Sequence, residues 1–316
     1  MRIHEHRCMV GLSSGLAIAA LALLLATATG CGGSTTTARS EGPAPQASPS
    51  VAAAPERLVG SDSVAVTRQV VDASRAALQN PSVAKSARIY ADDVVFDDYS
   101  YGVHGEGKAA AQRMIRKNLR EYTDARWLAG YAGRGWAIIE EYWDFTKTYG
   151  ASVAILALFE TRGGKVVHEG DYLQAFQNLP NGRALEPKPL KSAPGPADTP
   201  AAAEAVALEY SAALQAKDAA AVAALSASTI AFMDTASSTV GSSPAQVQAH
   251  YAKIFKGGLP QLVFTHLRYA FGRGWAAVIW TASSVGAGGD GVTMLEIRDG
   301  AIARETLCYN SSNMPF

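Results

Sequence analysis

The stretch Tyr90-Ala91-Asp92-Asp93-Val94-Val95-Phe96-Asp97-Asp98 decides how this chain is read. Val94 and Phe96 alternate with Val95 and Asp97, as side chains do on a strand, and an acidic pair stands where the strand stops. Gly105 closes the unit. An echo lies 136 positions on, Ile230-Ala231-Phe232-Met233-Asp234, closed by Gly241. Farther along, Gly133-Arg134-Gly135-Trp136-Ala137 returns letter for letter as Gly272-Arg273-Gly274-Trp275-Ala276, at an offset of 139. Glu160, Arg162, Gly164 and Glu169 then return as Glu296, Arg298, Gly300 and Glu305, again at 136. Matches in one order along the chain predict a tandem duplication, and a period this long means two domains rather than a solenoid. A length of 316 residues agrees with about two domains of roughly 100–200 residues each.

Working outward, residues 61–177 read as the first domain. Ser61, Asp62 or Ser63 caps a helix whose Val66, Val70, Ala73 and Ala77 share a face, and Asn80-Pro81 stops it. A short second helix leads into the opening strand. Gly107 to Arg120 reads as a third helix. Long strands follow, Arg126 to Ala132, Trp136 to Lys147, Ser152 to Thr161 and Lys165 to Phe176, joined by turns at Gly133-Arg134-Gly135 and Gly163-Gly164. Residues 178–198 carry Pro180, Pro187, Pro189, Pro194 and Pro196 without apolar periodicity and read as a linker. Residues 199–316 repeat the pattern, starting with Pro200 in the first turn of a helix after Thr199. Helices followed by a meander imply an α+β fold with a curved antiparallel sheet in each domain.

Upstream, Arg2 and Arg7 precede an apolar run from Val10 to Ala28, which keeps residues 1–30 out of the fold. The following Ala28-Thr29-Gly30-Cys31 resembles the lipobox of bacterial lipoprotein signal peptides. That resemblance implies cleavage before Cys31 and its lipidation. Several acyl chains anchor stably, at about 0.8 kcal/mol per buried CH₂. Gly32 after the cysteine, where Asp would signal retention, implies the periplasmic face of the outer membrane. Residues 31–60, rich in Gly, Ser, Thr, Ala and Pro, read as a disordered tether.

The charge balance excludes one class of partner. Without Arg2, Arg7 and Glu5 the chain holds 26 basic and 27 acidic residues, a balance of −1, so no basic footprint for nucleic acid exists. Cys8, Cys31 and Cys308 form neither a disulfide framework nor a metal pattern. Cys308 reads as a small buried strand residue. His104, Asp98 and His168 lack the turn or helical spacing of a metal site, and no cofactor is implied.

Three helices, the Tyr90–Asp98 stretch, a glycine and a four-strand meander resemble the nuclear-transport-factor-2-like superfamily. Its members include SnoaL-like polyketide cyclases, ketosteroid isomerase, limonene epoxide hydrolase and proteins that only bind. The resemblance implies two cones, each with three N-terminal helices wrapped by a curved sheet around an apolar pocket. It is specific for the fold and poor for function. By comparison with ketosteroid isomerase, Asp98 and Asp234 match the catalytic base. Tyr210, within Glu209-Tyr210-Ser211-Ala212-Ala213-Leu214, matches the oxyanion-donating tyrosine, while Ser74 stands at that place in the first domain. The strand regions near Leu156 and Thr293, where the second donor belongs, hold no carboxylate. A pocket carboxylate could abstract a proton next to a carbonyl. Equally, Tyr210 is a core aromatic, and Asp234 a strand-end residue that binds backbone amides.

Glu140, Tyr142 and Asp144 alternate onto one face of their strand, opposite Ile139, Glu141 and Trp143, and are taken as the pocket face. With Trp127, His168, His266 and Trp280 they complete the candidate lining. The functional expectation is a lipid-anchored protein of the cell envelope that binds a small apolar molecule or pairs its two sheets as a pseudo-dimer in one chain. The alternative is an isomerase, cyclase or hydrolase with Asp98 or Asp234 as base.

Overall fold

The structure is a computed structural model that describes residues 53–173, 196–256, 262–284 and 287–309. The leader, Cys31, most of the tether, the end of the first domain from 174 and the linker up to 195 lie outside the described residues.

In the first half, Ser63 caps α1 (Val64–Gln79) by accepting from Val66 N, and the helix buries Thr67, Val70, Val71, Ser74 and Ala77. Then follow α2 (Val83–Ser86), a 3₁₀ turn (Ala87–Ile89), β2 (Tyr90–Asp98), β3 (Val103–Glu106) and α3 (Lys108–Glu121). The meander is β4 (Asp124–Ala132), β5 (Trp136–Phe145), β6 (Ala151–Arg162) and β7 (Lys165–Tyr172), with a short α4 (Thr146–Tyr149) between β5 and β6. The strand expected to reach Lys147 stops at Phe145. There Asp144 Oδ1 accepts from Thr146 N at 2.7 Å, and Gly150, at φ +68°, turns the chain back.

The second half runs α5 (Pro200–Ala216), α6 (Ala219–Ala224), β8 (Ser226–Asp234), β9 (Thr239–Gly241) and α7 (Pro244–Lys256). It ends with β10 (Val263–Gly272), β11 (Trp275–Ser284), β12 (Ala287–Arg298) and β13 (Ala301–Tyr309). Thr199 and Asp218 cap α5 and α6. The first sheet has the order β3-β2-β7-β6-β5-β4. In the second, β9-β8-β13-β12-β11-β10 is the same path, with β1 (Glu56–Arg57) added at its edge. In both, the first strand lies parallel to the last and the remaining pairs of that path are antiparallel.

Strand β1 corrects the expected tether. Its two residues pair in parallel with Arg268 and Tyr269, Leu58 N donates to Tyr269 O, and Arg57 pairs with Glu204 at 3.0 Å. Gly60 then passes so close to Gly135 that a Cβ on it would lie 2.7 Å from the Gly135 Cα. Residues of low hydrophobicity are ordered here because a sheet edge supplies their hydrogen bonds.

The sheets pack face to face. Trp136, Ile138, Leu156 and Leu158 of one meet Trp275, Ala277, Ile279 and Met294 of the other in one apolar cluster. Each sheet turns its opposite face to its helices, where Ala137, Ile139 and Phe159 join one core and Ala276, Val278 and Leu295 another. Strand β5 is therefore buried on both faces. At the centre of the interface Arg304 pairs with Glu140 at 2.6 Å and Glu296 at 3.2 Å, and all three are almost wholly buried. Burial works against the charge on Arg304. The carboxylate of Glu140 and the neighbouring Tyr131 outweigh it and hold the guanidinium pKa above its ordinary value.

Candidate functional site

A cavity of about 100 Å³ lies between α1, α3 and the helix-facing side of the first sheet. Its walls are apolar, with Ala77, Met114, Ile115, Ile155 and Phe159 among them, and Tyr122 and Trp143 meet edge to face at 4.8 Å. Three carboxyl groups and Tyr90 also line it. Glu141 comes from β5; Glu169 and Asp171 come from β7, two residues apart and so on one face.

These acids are held in conditions that disfavour charge. Burial pushes the pKa of Glu141 up to about 7 against the opposing hydrogen bond from Trp143 Nε1, 2.8 Å from Glu141 Oε2. Burial likewise pushes Glu169 up to about 7, opposed by the Tyr90 hydroxyl and reinforced by the charge of Glu141. Asp171 is raised well above the usual carboxylate range, by burial first and then by Glu169, Asp98 and Glu141. Glu169 Oε2 and Asp171 Oδ1 are buried without a hydrogen-bond partner. Neighbouring carboxyls of this kind titrate as a group and can hold a proton between them.

The second half is packed where the first is open. Its corresponding cavity is about 10 Å³, the space of roughly one water. Glu305 of β13 takes the place of Glu169, and burial raises its pKa also to about 7. Its Oε1, however, lies 2.7 Å from the Tyr210 hydroxyl and 2.5 Å from that of Tyr251, and the two hydroxyls are also in contact, so their two protons are shared among three short contacts. At the offset of 136, Tyr210 and Tyr251 fall on Ser74 and Ile115, and at the offset of 139 Trp280 falls on Glu141. All three of these first-half residues line the larger cavity. The opening is the space of the missing aromatic rings, and Glu169, which keeps the Tyr90 hydroxyl, is the acid that lacks the counterparts of Tyr210 and Tyr251.

The expected pocket face is corrected. Glu140 and Tyr142 point away from the cavity: Glu140 bonds Arg304 of the other sheet, and Tyr142 lies under the Arg126 guanidinium at 4.2 Å. Asp144, the third residue of that face, bonds Thr146 at the strand end. Glu141 and Trp143, taken as the outer face, line the cavity. Side chains of β5 alternate as the sequence predicts, but the second sheet covers the face expected to be the interior. Trp127 packs beside the helix-side core without lining the cavity. His168 is turned to Asp97, with Nε2 at 2.8 Å from Oδ2, while His104 Nδ1 lies 2.8 Å from Oδ1. His266 is exposed, at φ +48° where β10 shifts register. Trp280 is buried and lines the small cavity, donating to Thr293 Oγ1 at 3.2 Å.

The two strand-end aspartates share one local arrangement. Asp98 Oδ1 accepts from Ser100 N and Tyr101 N, and Asp234 Oδ1 from Ala236 N and Ser237 N. Asp98 lies beside Asp171 in the strand pairing but outside the cavity lining. Asp234 is fully buried, accepts from Tyr309 Oη at 3.0 Å, and has His250 Nε2 at 2.9 Å, out of line for a hydrogen bond. Tyr210 serves Glu305 rather than Asp234. Cys308 is buried beside Thr235 Oγ1 at 3.2 Å, and burial pushes its thiol pKa up. Among the described residues, no three His, Cys, Asp or Glu side chains gather to hold a metal.

Glu141, Glu169 and Ser74 are the site residues that sequence reasoning did not place in the pocket, whereas Asp171 is a polar candidate the last strand offers by its alternation with His168. The offsets carried the signal, since comparing the copies position by position exposes each lost aromatic.

Residues 207–305 match the SnoaL-like domain. Solved structures with a related fold include a nuclear-transport-factor-2-like protein of unknown function from Burkholderia xenovorans, at 21% identity over 34% of this chain and 82% of that one, with a TM-score of 0.31. An epoxide hydrolase of M. tuberculosis is 16% identical over 34% of this chain and 83% of that one, TM-score 0.30. A steroid delta-isomerase from Pseudomonas aeruginosa is 10% identical over 35% and 82%, TM-score 0.31. No curated protein matches the chain.

Proposed function

We propose that this is a lipid-anchored binding protein of the cell envelope, built from two SnoaL-like cones in tandem, in which the first cone holds a small ligand and the second braces it. The observation that carries the reading is the contrast between the corresponding cavities under the two sheets, about 100 Å³ in the first half and about 10 Å³ in the second. A mostly apolar hollow with a few convergent polar groups is what a small-molecule site requires. The filled half contributes its sheet, and the face-to-face contact acts as a pseudo-dimer within one chain. Cys31 fixes the protein to the membrane, and the resemblance of its leader supports the periplasmic face of the outer membrane.

A ligand retained through purification and released only on unfolding, detected by native mass spectrometry, supports this reading. A protein that arrives empty and takes up no small molecule from a chemically diverse library overturns it. The pairing has its own test: residues 199–316 expressed alone should aggregate through Trp275 and Ile279, and a soluble monomer would refute the pseudo-dimer.

A second reading is favoured by the adjacency of Glu169 and Asp171. One protonated and one ionised carboxyl facing an apolar hollow are suited to proton transfer in an isomerase, cyclase or hydrolase. This moves the acid–base role from Asp98 and Asp234, which are occupied with backbone amides, to β7. Turnover of a β,γ-unsaturated ketone that disappears in Asp171→Asn would support it.

A further inference from the structure

We propose that the cavity of the first half takes a small organic cation, an amine whose ammonium group sits against Glu169 and Asp171 and whose hydrocarbon body lies between α1, α3 and β5. This deepens the binding reading and rests on it.

Three observations point to a cation. Glu169 is only 7% exposed and its Oε2 has no partner, and Asp171 Oδ1 beside it is buried without one. A buried polar atom in this state is costly unless something arrives to satisfy it. Second, three carboxyl groups line the hollow, while none of the residues described around it is Lys, Arg or His. In the other half two tyrosine hydroxyls serve one oxygen of Glu305, whose Oε2 is also buried without a partner, but there no second acidic oxygen without a partner stands two residues along the strand as Asp171 Oδ1 does here. Three together repel one another when ionised, and a bound cation relieves that repulsion where protonation does not. Third, Trp143 and Tyr122 stand on the wall beside Glu141, and aromatic faces attract ammonium groups. The apolar remainder of the cavity suits an alkyl or aryl body rather than a hydrated inorganic ion.

The groups that face these acids are Tyr90 from the start of β2, Glu141 from β5 and Asp98 at the end of β2, with Lys117 of α3 acting on Asp98. A bound ammonium would favour their ionised forms, so uptake near neutral pH should release protons.

The test is calorimetry on the whole chain with a panel of amines from methylamine to cyclohexylamine, each against the alcohol of the same skeleton. At pH 8 the best amine should bind at least tenfold more tightly than its alcohol. At pH 5, with the carboxyls protonated, that advantage should vanish. At pH 7, titrations in two buffers of different ionisation enthalpy should show proton release. The Glu169→Gln/Asp171→Asn pair should lose at least tenfold in amine affinity while its melting temperature holds or rises. Glu141→Gln, which keeps an acceptor for Trp143, should lose affinity to a smaller extent. An alcohol that binds as tightly as its amine overturns the cation and leaves a pocket for neutral ligands. Failure of the whole panel, amines and alcohols alike, overturns the cation and the binding reading together.

Discussion

Grafting the two tyrosines of the second half onto the first, as Ser74→Tyr with Ile115→Tyr, is expected to close the cavity and stabilise the protein. Both positions line the hollow, one on α1 and one on α3. Filling about 100 Å³ at roughly 24 cal/mol per Å³ is worth about 2 kcal/mol. New hydroxyl donors to Glu169 would add about 1.5–3 kcal/mol as hydrogen bonds to a charged group. Ordering two tyrosines and imperfect fit oppose this, since overpacking costs about 1–3 kcal/mol. The net expectation is a gain of about 2 kcal/mol, read as a higher urea midpoint at unchanged slope. Each single substitution should achieve less than half of it. In the second half the hydroxyls bond each other as well as Glu305, so a double-mutant cycle should show favourable coupling. The same variant should no longer bind any ligand of the first half. A double variant less stable than the wild type, or one that binds unchanged, would refute the equivalence of the two halves and the identity of the cavity.

Three further outcomes are expected. Glu141 and Glu169 have folded pKa values raised from 4.5 to about 7, so the folded state binds more protons than the unfolded state between those values, and stability falls as pH rises through that window. The upper bound is about 3 kcal/mol for each group, and Glu169→Gln should flatten the fall in urea titrations taken from pH 4.5 to 8. Arg304→Met strands Glu140 in the interface and leaves Glu296 with Arg298 alone, and should cost about 3–5 kcal/mol in equilibrium unfolding; a loss under 1 kcal/mol would mean the buried network is not what joins the sheets. Asp234→Asn keeps the backbone contacts of its carbonyl oxygen but weakens the Tyr309 contact, so about 1–2 kcal/mol of stability should go while ligand affinity in the first half stays unchanged.

Local pattern was readable because it rests on short-range physics. The caps at Ser63, Thr199 and Asp218, the hairpin glycines Gly135 and Gly274 at φ +70°, and the strands between them follow from spacing and residue type alone. The order of elements, and the echo at 136 and 139, carried the topology of both sheets. What misled was the interior of β5. Trp136 to Trp143 is apolar or aromatic on both faces, with one glutamate at the centre of each, so hydrophobic contrast could not say which face met the helices.

From the sequence alone came the mixed α+β pattern, the strand-end aspartates and the near-zero net charge, because propensity, periodicity and charge are properties of the chain itself. Only the tertiary structure decided that Glu140 bridges two sheets while Glu141 faces a cavity, and that Asp98 and Asp234 serve their own turns. The hollow itself is an absence. Ser74, Ile115 and Glu141 stand where Tyr210, Tyr251 and Trp280 fill the other half, and volume that no side chain occupies becomes visible only when the surrounding elements are brought together.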